Sequence, residues 1–265
     1  MTAAEPSSAR EAPQAPGWGR LTLEVRAPFE FFASALAAPW LARAPRGDGH
    51  PVIVYPGFLA SDFSTRPMRR LLRWLGHDVR GWSLGRNLRP TAPLLDEALA
   101  RVRQVHAQTG RRVSLVGWSL GGIYARELAK RAPEAVRAVV TLGSPFGGPA
   151  RSTRAHRLFQ RVNRDRPVLS MSAETLRQPP EVPTTSIYSR SDGIVAWQIS
   201  LEADGAASES IRVPASHLGL GVNPWALYAL ADRLAQPEGQ WRPFRRQGLG
   251  RPFFPRHREP VESGR

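Results

Sequence analysis

Short apolar runs alternate along the chain with longer segments in which apolar residues recur every three or four positions. A short continuous run is typical of a strand that is buried on both faces, whereas the longer spacing is typical of an amphipathic helix. Strand alternating with helix favours an α/β domain with a mostly parallel central sheet and helices on both faces. The pattern predicts strands near residues 51–55, 79–82, 113–116, 135–142, 185–188 and 210–213, and helices near 68–75, 92–108, 123–129 and 224–234.

The two ends of the chain depart from this alternation. Residues 1–19 are rich in Ala, Pro and Ser and predict a disordered segment, and the Pro, Gly and Arg of residues 237–265 predict a flexible basic tail. The domain is then expected over residues 20–236, an ordinary length for a single core. Three aromatic residues of the tail would dock either onto the domain or onto a partner: Phe244, Phe253 and Phe254.

A strongly apolar segment precedes the first predicted strand and ends near Pro45. Its spacing predicts a helix that packs against the body of the domain. The alternative is a monotopic membrane contact, which the near absence of Lys and Arg from the polar face disfavours. The apolar positions at helical spacing are Phe29, Phe32, Ala33, Leu36, Ala37 and Trp40.

Positive charge dominates the composition and comes almost entirely from arginine. The 265 residues include 37 Lys and Arg against 22 Asp and Glu, which gives a net charge of +15, and Lys130 is the only lysine. Such a surface favours solubility, or else contact with an anionic membrane surface or an acidic ligand. No nucleic-acid-binding motif accompanies the charge, so no nucleic acid partner is expected.

The sequence contains no cysteine, which excludes disulfides and thiol chemistry. Its first residues lack the basic and apolar regions of a signal peptide, and no run approaches the roughly 20 apolar residues that span a bilayer. We therefore expect a cytoplasmic protein, whose oligomeric state stays open.

One predicted strand runs directly into a Gly-x-Ser-x-Gly pattern, Gly117 to Gly121, and a predicted helix follows. A serine at such a sharp turn has a strained backbone, and glycines two residues before and after it let strand and helix approach closely. The turn exposes the Ser119 hydroxyl and places the Leu120 amide at a helix N-terminus, where it can stabilise an oxyanion. The alternative is a Gly- and Ser-rich loop without chemistry.

A serine nucleophile needs a histidine base and a carboxylate that orients it. In sheets of this type these residues follow in the order Ser, Asp or Glu, His. Three of the six histidines precede Ser119, His156 precedes any suitable acid, and His257 lies in the tail, which leaves His217. Asp192 follows the strand near 185–188 and is the favoured acid, because a strand end delivers its side chain to the histidine. Asp204, between Ala and Gly, is the rival.

A second oxyanion donor is expected after the strand near 51–55. Gly57 lets the backbone turn back toward Ser119, so the Phe58 amide is the candidate beside that of Leu120, unless Gly57 is only a turn glycine. Four nearby apolar residues are candidates for the substrate pocket: Trp118, Leu59, Phe146 and Leu218.

Residues 139–144, 184–195 and 216–220 together resemble the small bacterial lipases of the Bacillus lipase A type, within the α/β-hydrolase superfamily. The similarity covers about residues 52–234. It implies the α/β-hydrolase fold, a triad of Ser119, Asp192 and His217, and an oxyanion amide at Phe58. Two residues depart from the family pattern, since Trp118 and Pro56 each stand where that family usually has a histidine.

An insertion at about residues 147–183 is longer than these lidless lipases carry and is a candidate cap. Its arginines recur every three or four positions and predict a solvated helix face. The alternative is a helix that steers anionic or phospholipid substrates over the site. The arginines are Arg151, Arg154, Arg157, Arg161 and Arg164.

These patterns favour a serine hydrolase that acts on a small-molecule or lipid acyl ester through an acyl-enzyme intermediate. The chemistry calls for no metal or organic cofactor. Two alternatives stay open: an acyltransferase or thioesterase with the same triad, and a catalytically silent binding protein of the same fold.

Overall fold

The computed structural model describes residues 12–169, 171–203, 205–245 and 248–255, without the side chains of 248–250. Every strand predicted from the apolar runs is present, with ends that differ by at most two residues. The strands in the described residues are β1 (Pro51–Tyr55), β2 (Asp78–Gly81), β3 (Val113–Trp118), β4 (Val136–Leu142), β5 (Thr184–Tyr188) and β6 (Ser208–Arg212).

The helices on either side of the sheet also follow the predicted spacing, and Gly110, with φ of +64°, ends the longest of them in the left-handed conformation that glycine favours. The helices of the described residues are α1 (Trp18–Leu21), α2 (Ala27–Leu36), α3 (Ala38–Leu41), α4 (Arg66–Trp74), α5 (Ala92–Thr109), α6 (Leu120–Arg131), α7 (Ala155–Val162), α8 (Ala173–Arg177) and α9 (Pro224–Leu234). None of them is both long and apolar enough to cross a membrane.

The strands form one sheet in the order β2-β1-β3-β4-β5-β6, and each neighbouring pair is parallel. Successive residues of a strand face opposite sides, so each face has its own apolar core. Val52 and Val54 of β1 pack in the cluster that contains α4 and α9 residues, and Ile53 packs in the cluster that contains α5 and α6 residues. The predicted fold class is confirmed. Because the strands are parallel, all their carboxyl ends meet at one edge.

The N-terminal helical segment lies on the domain as predicted, and Trp40 packs against Trp225 and Tyr228, but the phenylalanines of α2 face outward. Phe29 and Phe32 are 73% and 64% exposed and Leu36 is 84% exposed, whereas Glu24 and Glu30 are each only 8% exposed. The apolar stripe therefore did not indicate the packed face of α2. The reason is that both carboxylates find backbone N–H donors in the domain.

The described part of the predicted tail lies against α9. The Phe253 ring stacks on Trp225 with 3.8 Å between ring centroids, and Phe254 is 2% exposed. The Phe244 ring lies 4.8 Å from that of Phe254. The sequence left open whether these aromatic residues dock onto the domain or onto a partner. In the structure they dock onto the domain.

The insertion folds as α7 and α8 near the carboxyl edge of the sheet. Helix α6 holds α8, because Arg126 donates hydrogen bonds to the carbonyl oxygen of Gln178 at 3.1 Å and Lys130 to that of Thr175 at 2.6 Å. The guanidinium of Arg154 lies over the Trp18 ring. The other four arginines of the predicted stripe are exposed, as a solvated face requires: Arg151, Arg157, Arg161 and Arg164.

Candidate active site

Ser119 forms the turn between β3 and α6 and has φ of +53° and ψ of −121°. Such a conformation costs of the order of 1–3 kcal/mol and persists only where the surroundings impose it. A Cβ at Gly117 would overlap the backbone of Gly122, and one at Gly121 would overlap the carbonyl oxygen of Tyr55. The two glycines of the sequence pattern therefore stand where strand, turn and helix touch.

Ser119, His217 and Asp192 are brought together in one hydrogen-bonded chain. The distance from Ser119 Oγ to His217 Nε2 is 3.0 Å, and that from His217 Nδ1 to Asp192 Oδ2 is 2.7 Å. The second oxygen of Asp192 accepts hydrogen bonds from the backbone N–H groups of Ile194 at 2.8 Å and Val195 at 2.7 Å. These bonds fix the carboxylate so that its free oxygen points to the imidazole.

The histidine and the acid are both removed from water, with exposed fractions of 4% and 3%. Burial lowers the pKa of His217, but the charge and the hydrogen bond of Asp192, with the charge of Glu24, outweigh it and leave the pKa raised. The imidazolium is thus stabilised in the place where it would form after a proton transfer from Ser119.

Phe58 and Leu120, the two predicted oxyanion donors, line the same cavity as Ser119. Gly57 lies directly against the serine, since a Cβ on it would be 3.3 Å from Ser119 Cβ. Leu120 is the first residue of α6, where the backbone amides carry partial positive charge.

Two polar residues that the sequence analysis missed hold these loops in place. Asn87 is fully buried; its side-chain amide donates a hydrogen bond to the carbonyl oxygen of Pro56 at 2.7 Å, and its backbone carbonyl oxygen accepts one from the Leu59 N–H at 2.8 Å. Ser144 donates its hydroxyl proton to the carbonyl oxygen of Ser119 at 2.7 Å. A single Asn or Ser in a loop carries no local signal of such a contact.

A cavity of about 410 Å³ lies beside Ser119, and its wall is mostly apolar. The insertion contributes a large part of that wall, including His156 of α7 and Leu176 of α8. The ring of Phe159 lies 5.4 Å from that of Phe58, so the insertion contacts the loop after β1. The insertion thus forms much of the wall beside Ser119.

The four residues named from the sequence as pocket candidates lie elsewhere than on the cavity wall. Trp118 lies behind the histidine, where its Nε1–H donates to the His217 carbonyl oxygen at 3.1 Å. Phe146 is buried beneath the guanidinium of Arg126, which lies 3.8 Å from its ring centroid. Leu59 and Leu218 are 38% and 48% exposed. Nearness in sequence to a site residue did not indicate which residues line the cavity, because the insertion forms much of its wall.

The rival acid Asp204 and the tail histidine His257 lie outside the described residues. Among the described residues, no group of three or more His, Asp or Glu is arranged to hold a metal ion.

A second Ser-His-Asp contact occurs at the opposite edge of the sheet. His50 Nε2 lies 2.9 Å from Ser114 Oγ, and His50 Nδ1 lies 2.7 Å from Asp48 Oδ1. Ser114 and His50 are 1% and 0% exposed, and Asp48 is also paired with Arg111 and Arg137. This trio connects the amino ends of strands, and its serine and histidine are shielded from solvent.

Residues 78–204, just under half of the chain, match the family of PGAP1-like alpha/beta domains. None of the curated proteins compared with the chain matches it.

Several solved structures share the fold at low sequence identity. Lipase B of Aspergillus fumigatus superposes with a TM-score of 0.55 and 18% identity over 72% of this chain and 53% of its own, so this chain spans about half of that lipase. A monoacylglycerol lipase of Paleococcus ferrophilus superposes with a TM-score of 0.50 and 15% identity, over 72% of this chain and 97% of the lipase. A pyrethroid hydrolase superposes with a TM-score of 0.50 and 18% identity, over 69% of this chain and 96% of its own. With the all-parallel sheet and the strand–serine–helix turn, these likenesses show that the chain is an α/β-hydrolase-fold protein.

Proposed function

We propose that this protein is a serine hydrolase that acts on carboxylic esters through an acyl-enzyme intermediate. The observation that carries the proposal is the continuous chain of hydrogen bonds from Ser119 through His217 to Asp192 beside an apolar cavity. The lipases among the structures of the same fold support this reaction class.

In the first half of the reaction, the Ser119 hydroxyl attacks the ester carbonyl carbon while His217 Nε2 takes its proton. Asp192 keeps the imidazole oriented and stabilises its positive charge. The carbonyl oxygen becomes an oxyanion, which the N–H groups of Phe58 and Leu120 stabilise. His217 then donates the proton to the leaving alkoxide, and the alcohol departs from an acyl ester on Ser119.

The second half repeats these steps with water as the nucleophile. His217 takes a proton from the water molecule, whose oxygen attacks the acyl carbon and forms a second oxyanion. Collapse of this intermediate returns the proton to Ser119 Oγ and releases the carboxylic acid. Every step uses side chains and backbone amides of the chain, without a metal or an organic cofactor.

The acyl group of the substrate would occupy the cavity, because its wall is apolar and begins at the nucleophile. Burial of each methylene of an acyl chain contributes about 0.8 kcal/mol. An apolar acyl ester, either a small molecule or a lipid, is therefore the substrate class that we infer.

Labelling with an alkyl fluorophosphonate, followed by intact-mass measurement, tests the nucleophile. We expect one adduct on the wild type and none on Ser119→Ala, with loss of p-nitrophenyl ester hydrolysis in parallel. Ser114→Ala is the matched control, because Ser114 also lies 2.9 Å from a histidine nitrogen but is buried at the other edge of the sheet. This variant should keep both the adduct and turnover.

Two outcomes would redirect the proposal. A folded wild type that forms no adduct and hydrolyses no ester would refute it and favour a catalytically silent binding protein. Faster transfer of the acyl group to an added alcohol or thiol than to water would favour an acyltransferase. A series of ester chain lengths, measured in the same assay, would report how much of an acyl chain the cavity accepts.

A further inference from the structure

Two buried glutamates of the N-terminal segment reach the loops that carry the acid and the base of the candidate triad. Glu24 belongs to the 3-10 turn Thr22–Arg26, and Glu30 belongs to α2. Each is only 8% exposed. A buried carboxylate is costly unless hydrogen bonds or opposite charges compensate it, so its partners indicate what holds it there.

The Glu24 carboxylate accepts three backbone hydrogen bonds, which come from both loops. Its Oε1 accepts from the N–H of Gly193 at 2.8 Å and from the N–H of His217 at 2.9 Å, and its Oε2 accepts from the N–H of Leu218 at 2.9 Å. Gly193 directly follows Asp192 in the chain. One side chain therefore connects the residue after the acid with the base itself.

Glu30 makes a different set of contacts, one step further from the reacting groups. Its Oε1 accepts from the N–H of Ser216 at 2.8 Å, and its Oε2 accepts from the Asn223 side chain at 3.2 Å. Arg26 lies 3.0 Å from the same carboxylate and compensates its charge. Glu30 thus contacts the loop of His217 but not that of Asp192, and it is paired with Arg26. Glu24 contacts both loops.

A carboxylate suits the Glu24 position better than a neutral acceptor does. Both of its oxygens accept, and bonds to a charged acceptor are roughly twice as strong as neutral ones. Glutamine would keep one accepting oxygen and turn an NH₂ group toward an N–H donor. The negative charge of Glu24 also adds to that of Asp192 in raising the pKa of His217.

We propose that Glu24 is a positioning residue of the candidate site, one that fixes the loop of Asp192 relative to the loop of His217 through its three backbone hydrogen bonds. The effect of Glu24 on catalysis rests on the proposed function. Its positioning of the two loops rests on the three hydrogen bonds described above. The ionisable groups that face His217 from the packed elements are Asp192, Glu24, and the paired Glu30 and Arg26.

Glu24→Gln and Glu30→Gln form a matched pair for the test, because both remove one buried carboxylate from the same segment. For Glu24→Gln we expect kcat to fall about 10- to 100-fold with little change of KM, as for other orienting partners of a reactive group. We also expect the acid limb of the pH profile of kcat/KM to move to lower pH, because one of the charges that raise the pKa of His217 is lost. Glu30→Gln should leave the acid limb where it is.

Titration of the His217 ring by NMR supplies a readout that needs no activity, with His217→Gln used to assign the signal. A lower His217 pKa in Glu24→Gln than in the wild type and in Glu30→Gln would support the inference even in a protein that hydrolyses no ester. Failure of the proposed function would appear instead as an unlabelled and inactive wild type. The two failures are therefore distinguishable.

The inference would be overturned by a Glu24→Gln protein in which neither kcat nor the His217 titration differs from the wild type. Should that variant not fold, Glu24→Asp is the substitute. It keeps the charge but is one methylene shorter, so it cannot reach all three donors. Its expected result is a lower kcat with a nearly normal His217 titration, and an unchanged kcat would refute the positioning role.

Discussion

His50 and His77 lie side by side where β1 and β2 begin, with 5.0 Å between their ring centroids. They are 0% and 4% exposed. Burial lowers the pKa of each from 6.5 to about 4. For His50 the hydrogen bond to Asp48 opposes the shift, and Arg137 adds to it. We predict that acidification from pH 6.5 to pH 4 destabilises the fold through these two residues.

The sign and the size follow from proton linkage. Between pH 6.5 and 4 the unfolded chain binds protons on both histidines while the folded chain does not, so the free energy of unfolding falls as the pH falls. Lowering the pKa from 6.5 to about 4 corresponds to about 3 kcal/mol for each histidine. Domains are typically stable by 5–15 kcal/mol, so this loss is a large fraction of the total.

The other shifted groups change the stability in different pH ranges. Burial raises the pKa of Asp48, but hydrogen bonds from Arg137 and His50 outweigh this and lower it, so its contribution is lost only below about pH 4. The raised pKa of His217 gives a contribution that is complete below pH 6.5 and is lost as the pH rises through its folded value.

Urea unfolding at a series of pH values, with His77→Leu beside the wild type, measures the effect. The His77 ring makes no hydrogen bond within the described residues, so leucine removes its titration without stranding a partner. We expect the variant to lose about half of the pH dependence between 6.5 and 4. Parallel stability curves for the wild type and His77→Leu would refute the reasoning.

Three further predictions concern the site and its cap. The raised pKa of His217 predicts that kcat/KM for a soluble ester rises with pH through a midpoint above 6.5, where the base loses its proton; a lower midpoint would contradict this. Arg126 and Glu202 form an ion pair in which both side chains are 1% exposed, so Arg126→Met should lower the free energy of unfolding by about 3–5 kcal/mol in urea, and an unchanged midpoint would count against it. Phe159→Trp should narrow the cavity and lower kcat/KM more for long than for short acyl esters, whereas a uniform loss would place Phe159 outside the acyl path.

Local patterns in the sequence were sufficient for the sheet, the helices and the turn at Ser119. Strand and helix periodicities are properties of neighbouring residues, and a parallel sheet brings all carboxyl strand ends to one edge. The chain order of Ser119, Asp192 and His217 therefore predicted residues that the fold joins in one chain of hydrogen bonds, with His217 between the other two. The same order excluded His50, although His50 also lies between a serine and an aspartate.

Only the tertiary structure decided which side of the N-terminal segment faces the domain and what forms the cavity wall. The sequence pattern of α2 marks its phenylalanines as the inner face, yet Glu24 and Glu30 are the residues that are buried. Their burial depends on the backbone N–H groups of Gly193, Ser216 and His217, which lie 169 to 193 positions away and which no local periodicity encodes. A buried carboxylate is stable only where such donors meet it, and that meeting exists only once the chain has folded.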